Sequence, residues 1–249
     1  MNVDIHGAPI LYRLPIFGGI NITSTVVITW CVMLVLTLLC RWLTSDLKVR
    51  DISKKQAAAE FIDNMAESFV DQNMGEKWKR YVPFIAAIFG LSLFSSLSSL
   101  LGLFPPTADL STEFAWAIVV FIIITYQNLK ANGLGGYLKG FCEPIFVMAP
   151  FNVLGEFFKP VSMSFRHFGN VVSGVVISSL VYAALISVNT ALFNLIPGKV
   201  GELLGSIPIL AVGLPSILSL YFDWFSSFMQ AFIFCVLSMV FISTAAGEE

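Results

Sequence analysis

Charge is scarce in this chain: only 12% of its 249 residues are Asp, Glu, Lys or Arg, about half the share of an average soluble domain. With 57% hydrophobic residues and a mean hydropathy of +0.83, this excludes disorder and a soluble globule. The formal net charge is −2, so the basic excess that nucleic acid demands is missing. The four cysteines (Cys31, Cys40, Cys142, Cys235) show no CxxC spacing and read as small buried hydrophobes rather than metal ligands or disulfides. The two histidines, His6 and His167, are too few and too far apart for a metal site. No G-x-S-x-G is present, which disfavours an intramembrane Ser/His hydrolase. No internal repeat is present, which disfavours a stand-alone ion-coupled secondary transporter built from paired broken helices. The first apolar run begins near residue 26, too late and too long for the core of a cleavable signal peptide.

What remains is an integral membrane protein of the all-α class. A helix needs about 20 apolar residues to cross about 30 Å of hydrocarbon. Residues 22–43 qualify as a first transmembrane helix, following an external segment 1–21. Residues 44–80 cannot cross: the stretch 41–80 holds eight of the fourteen basic and seven of the sixteen acidic residues. There, Ala58, Ile62, Met65 and Phe69 recur at helical spacing, which predicts an amphipathic helix with that face apolar. Residues 81–140 hold a helix pair, 82–104 and 113–129, and a loop Lys130–Gly140 with four glycines. Asp109 or Ser111 can cap the second of the pair. The loop lacks a preceding strand, so phosphate binding is not expected of it.

Ten of the fourteen basic residues lie in 41–80 and 130–139. The positive-inside bias then places both stretches in the cytoplasm, the N-terminus outside and the C-terminus inside. Residues 141–249 form the last unit. Their apolar runs are longer than one perpendicular span needs, predicting two long helices that tilt or bend and form an intramembrane hairpin. Pro150, Pro160, Pro208 and Pro215 mark possible bends, and Gly198 and Gly201 the turn. About five membrane-embedded segments result.

Charges inside a membrane are costly and mark function by default. Asn152, Glu156, Lys159, Ser162, Arg166, Asn170 and Ser173 step by three or four and form a polar stripe on the first long helix. Ser219, Asp223, Ser226 or Ser227, and Gln230 do the same on the second. Such stripes face each other, a watery cavity or another protein, not lipid. A guanidinium keeps its proton at physiological pH, so Arg166 cannot relay protons but can attract a carboxylate. On spacing alone, pairing with Glu156 or Asp223 merely to hold helices together stays open. His167 points about 100° away from Arg166 and reads as a helix contact.

The segment Lys159-Pro160-Val161-Ser162-Met163-Ser164-Phe165-Arg166-His167-Phe168-Gly169-Asn170 resembles the signature of subunit a of F-type ATP synthases. Gln230-Ala231-Phe232-Ile233-Phe234 resembles that family's second signature, and Pro105-x-Thr107-Ala108-Asp109 matches more weakly. In order and layout the resemblance covers residues 22–246. It implies a non-catalytic subunit of the Fo sector in a bacterial plasma membrane, without cofactor or metal. Its implied partners are a rotating c-subunit ring, the b subunits of the peripheral stalk and the rest of the synthase. It also implies two offset aqueous half-channels leading to ring carboxylates. Arg166 matches the family's essential arginine, Asn170 its asparagine and Gln230 its glutamine.

A ring carboxylate facing lipid must be neutral, whereas beside Arg166 the anion is stabilised and the ion is released. Helical rise puts Glu156 about 15 Å from Arg166 and Asp223 about 10 Å from Gln230. Glu156 and Asn152 then belong to the cytoplasmic half-channel, and Asp223, Ser219 and Asn170 to the external one. Where many bacterial relatives carry a glutamate nine residues after the arginine, this chain has Val175. Where they often carry a histidine seven before the glutamine, it has Asp223. Proton and sodium ion are not distinguished by these residues.

Overall fold

Five helical stretches long and apolar enough to cross a membrane dominate the computed structural model: Ser24–Leu43, Glu76–Leu101, Leu110–Phe141, Phe146–Phe193 and Trp224–Ala245. The structure describes residues 8–15, 20–49, 52–193, 195 and 220–247. The expected turn at Gly198 and Gly201, with Pro208 and Pro215, lies outside them, as does Ser219.

Helix α1 (Ser24–Leu43) follows a small antiparallel hairpin, Ile10–Leu14 with Ile20–Thr23, which the periodicity of the sequence did not announce. Its twenty residues, mostly apolar, give α1 a length of about 30 Å, one bilayer core. Only Thr25 on it is buried, where its hydroxyl donates to Asp109 Oδ2 at 2.7 Å. Trp30, Met33, Leu34, Val35, Leu38 and Trp42 are exposed, which suits lipid, while Leu36 packs beside Gly90 of the next spanning helix. Cys31 and Cys40 share that exposed side, and Cys142 is half-buried. The reading of all four cysteines as buried therefore holds only for Cys235.

Helix α2 (Lys54–Met74) starts where the Ser53 hydroxyl accepts from the Gln56 N–H at 3.2 Å, a standard N-cap. The expected amphipathic helix is there, and Ala58, Ile62 and Met65 of its apolar side are exposed, open to a membrane surface or a partner. Contact with the apolar centre of the bundle comes through Ala66, Phe69, Val70 and Met74, toward the C-terminal end of α2. Phe69 stacks toward Phe232 at a centroid distance of 5.3 Å.

Helix α3 (Val82–Leu97) follows. Helix α4 (Leu110–Phe141) is capped by Asp109, whose carboxylate accepts from Ser111 N–H at 3.0 Å. The expected loop Lys130–Gly140 is instead helical on both sides of Gly133. That residue alone leaves helical geometry, at φ 67°, a backbone state that glycine adopts without a Cβ clash. The four glycines lower helix propensity but do not forbid helix, and one break suffices to bend the chain.

Helix α5 (Ala149–Phe193) runs 45 residues, about 67 Å at helical rise, twice the bilayer core. The expected long helix therefore holds, with Pro160 in its interior. Leu220–Ser226 forms a π-helical turn that leads into α6 (Ser227–Ala245). The apolar centre is built from Val82, Ile85 and Ile88 of α3, Ala117, Val120 and Ile124 of α4, and Phe234, Cys235, Met239 and Ile242 of α6. Helix α5 joins it through Met163, and its most extensive contact is with α4.

Candidate functional site: the Arg166 face of α5

One side of α5 is covered and the other is not. Pro160, Met163, Ser164, His167 and Gly174 are buried against the bundle. Ser162, Phe165, Arg166, Gly169 and Ser173 are exposed. These exposed positions recur at three and four residues and make one outward strip. Arg166 sits in the middle of it. Among the described residues no carboxylate lies within ion-pair distance of its guanidinium. Val175, in place of the glutamate implied by the resemblance, is an apolar and exposed member of the same helix.

The stripe expected as a single face is split by the structure. Asn152 lies near the start of α5, where its amide donates to the carbonyls of Phe141 and Glu143, each at 2.9 Å. It ties the end of α4 to α5. Glu156 pairs with Lys159 at 2.7 Å one turn along, and its carboxylate is largely covered. The reason for the split is pitch: at 100° per residue, steps of three and four precess, and over twenty residues a run drifts from one face to another.

Asn170 turns toward the last helix, where its amide donates to Ser226 Oγ at 2.9 Å. Ser173 donates back to the Asn170 carbonyl at 3.0 Å. The expectation that the two polar stripes meet is thus realised at Asn170 and Ser226. Gln230 is half-buried on α6, one turn beyond Ser226. Asp223 lies on the π-helical turn that leads into α6. A π turn rotates the residues before it relative to those after it, a device common at functional positions.

The structure adds an acid that the sequence reading passed over. Glu113, in the first turn of α4, is 0% exposed and His167 is 1% exposed. His167 Nδ1 lies 3.0 Å from Glu113 Oε2. His167 is indeed a helix contact, but its partner is a carboxylate. The signal was a lone acid at the start of a spanning run, four residues past its cap. It was masked because the run was bounded at that residue.

A further polar feature flanks the N-terminal end of α4. A cavity of about 500 Å³ lies between it and α1, lined by Asn21, Thr23, Thr29, Asp109, Ser111 and Thr112 among others. Behind it, Ser96 donates to Thr107 at 3.1 Å, and Ser92 and Ser95 are buried on α3. Groups of three or more potential metal ligands are absent among the described residues.

An all-α polytopic membrane protein with an arginine standing outward from a long, half-covered helix is an ion-handling architecture rather than a scaffold. The sequence pattern of the ATP synthase A chain family matches residues 26–243, and the chain belongs to that family. It is similar to the sodium-ion-specific ATP synthase subunit a of Propionigenium modestum, at 32% identity over 92% of this chain and 76% of that relative. It is 32% identical to ATP synthase subunit a of Desulforamulus reducens, over 93% of this chain and 82% of the relative. It is 31% identical to ATP synthase subunit a 1 of Chlorobaculum parvum, over 92% and 90% respectively. The protein is therefore a multi-pass membrane component of an ATP synthase complex, in its Fo sector, with a role in ion transport and ATP synthesis.

Proposed function

We propose that this subunit carries ions between the two sides of the membrane by way of a rotating ring of c subunits, and so couples ion flow to rotary ATP synthesis. It contributes no catalytic residue. The observation that carries this reading is the exposed strip of α5 with Arg166 at its centre. A charged, outward-facing guanidinium on a membrane helix requires an external partner, and a mid-membrane carboxylate on a passing ring subunit supplies one. At an effective dielectric of about 20, charges 4 Å apart attract by about 4 kcal/mol. That is enough to favour the ionised carboxylate about a thousandfold while it faces Arg166. Moving on toward lipid, the carboxylate reloads, because a bare charge in hydrocarbon is too costly. The same fixed charge repels cations that would leak straight across.

Two half-channels reach this centre. Asp223, Ser219 and Asn170 belong to the external one, Glu156 and Asn152 to the cytoplasmic one, and Ser162 and Ser173 flank Arg166 along the ring-facing strip. Gln230 orients the guanidinium without adding a competing charge. The charge bias of the connecting segments puts the N-terminus outside and the C-terminus in the cytoplasm of a bacterial plasma membrane. The b subunits of the peripheral stalk complete the stationary assembly. In Arg166→Ala, ion-driven ATP synthesis is expected to vanish while the soluble head still hydrolyses ATP. Normal synthesis by that variant in membrane vesicles would overturn the assignment. The same vesicles, with and without sodium, identify the coupling ion.

A further inference from the structure

The proposed function leaves one pair of ionisable groups unused. His167 follows Arg166 in the chain but points about 100° away from it, to the buried side of α5, where Glu113 of α4 meets it at 3.0 Å. Both carboxylate oxygens of Glu113 and both ring nitrogens of His167 are buried without a well-aligned hydrogen bond among the described residues, and the 3.0 Å approach of Oε2 to Nδ1 is the one polar contact between them. For packing alone this is a poor arrangement. Two ionisable groups out of water are stabilising only when the remaining lone pairs and protons are satisfied, and an apolar pair of similar volume does as well or better. Buried polar atoms left open in this way call for a functional explanation. A free carboxylate oxygen and a free ring nitrogen are the two ends a passing proton uses, one to arrive on and one to leave from.

The position fits. Thr112, next to Glu113, lines the cavity between α1 and the start of α4, together with polar Asn21, Thr23 and Asp109 and apolar Trp30 and Trp116. On the other side, His167 adjoins Arg166 in the chain, with Phe234 of α6 over its ring at a centroid distance of 6.2 Å. The other charged groups on the elements around it are few. Asp109 at the start of α4 already accepts from Thr25 and Ser111. On α5 there are Arg166 and the Glu156–Lys159 pair. Asp223 lies on the π-helical turn, and the α6 residue against the imidazole is apolar.

We infer that Glu113 and His167 form a proton relay between that cavity and the Arg166 centre, so that the ion handled on this route is a proton. The inference rests on the function proposed above. In the unloaded state the pair is a carboxylate with a neutral imidazole protonated on Nε2. A proton arriving from the cavity forms an O–H bond at Glu113. It passes across the Oε2–Nδ1 contact, the Nε2–H bond breaks, and that proton leaves toward the ring. Exchange of the imidazole tautomer restores the start. One proton enters, one leaves, and no electrons are transferred. The loaded state is net neutral, the form that burial tolerates best.

The test uses the whole ATP synthase in liposomes, with ATP-driven proton pumping read by a pH dye, sodium uptake by radioactive tracer, and hydrolysis measured in parallel. Glu113→Gln and His167→Gln keep size and polarity but cannot carry the proton. Each is expected to cut pumping per ATP hydrolysed at least a hundredfold, the lower end of the range of about 100- to 10,000-fold for positioned acid–base groups, and to flatten its pH profile. If these variants fail to assemble, the reversed pair Glu113→His/His167→Glu and the apolar pair Glu113→Leu/His167→Leu replace them. The reversed pair is expected to pump and the apolar pair not to. Pumping within twofold of wild type by the apolar pair, or wild-type sodium uptake unchanged in both Gln variants, overturns the relay. Loss of pumping in Arg166→Ala with none in Glu113→Gln overturns the relay alone. Wild-type pumping in the Arg166→Ala variant overturns the proposed function as well.

Discussion

Removing one member of the Glu113–His167 pair is expected to destabilise the subunit far more than removing both. With the passing proton held on the imidazole, at the 3.0 Å separation and an effective dielectric of about 20, the attraction between the two charges is about 5.5 kcal/mol. Desolvation of both groups offsets much of it, so the pair as a whole is worth little relative to an apolar pair. Truncating one side, however, leaves the other ionisable group buried without its partner, at a cost of about 3–5 kcal/mol. Glu113→Leu and His167→Leu are each expected to lose that much. Glu113→Leu/His167→Leu is expected to fall within about 1–2 kcal/mol of wild type. The coupling energy, about 3 kcal/mol or more, comes from a double-mutant cycle on denaturation in mixed detergent micelles, followed by tryptophan fluorescence. A coupling below about 0.5 kcal/mol would show that the two groups are not held together in a dry interior.

Arg166→Lys is expected to fail in ATP synthesis nearly as completely as Arg166→Ala, because an ammonium is a compact, titratable point charge rather than a planar fork; growth by respiration at the wild-type rate counts against the role given to Arg166. Asp223→Asn is expected to slow ion entry from the external side more than Ser219→Ala does, and equal, negligible effects in vesicle pumping assays would move the external path elsewhere. Asn170→Ala removes the amide that donates to Ser226, and its expected cost is about 1 kcal/mol in the same micelle titration; no loss of stability would mean that α5 and the last helix are held together by other contacts.

Much of the architecture was legible because the bilayer simplifies the problem. A chain with so few charges can place them only outside the hydrocarbon or at a functional centre, so apolar runs located the described spanning helices, although the third continues twelve residues past its expected end, to Phe141. The cap at Asp109 and the excess length of α5 follow from local spacing, and local spacing is what a sequence displays. Which turns of α2 pack was not legible for a definite reason. Periodicity reveals that a helix has an apolar side, but not how many of its turns reach the bundle, and here Ala66, Phe69, Val70 and Met74 do. The Gly-rich stretch was misread because weak helix propensity is overridden by a helix already propagating through it, with the break confined to Gly133.

The sequence by itself determined that this is a polytopic helical membrane protein, which helix carries the permanent charge, and which family signatures surround it. These follow from hydrophobic run length and from one twelve-residue segment. Only the tertiary structure decided that Asn170 reaches Ser226, that the polar stripe divides between two faces of α5, and that Glu113 meets His167 across fifty-four positions of chain. Contacts between distant residues depend on how helices rotate and cross when their side chains interlock, and no local pattern in one helix carries the rotation of another.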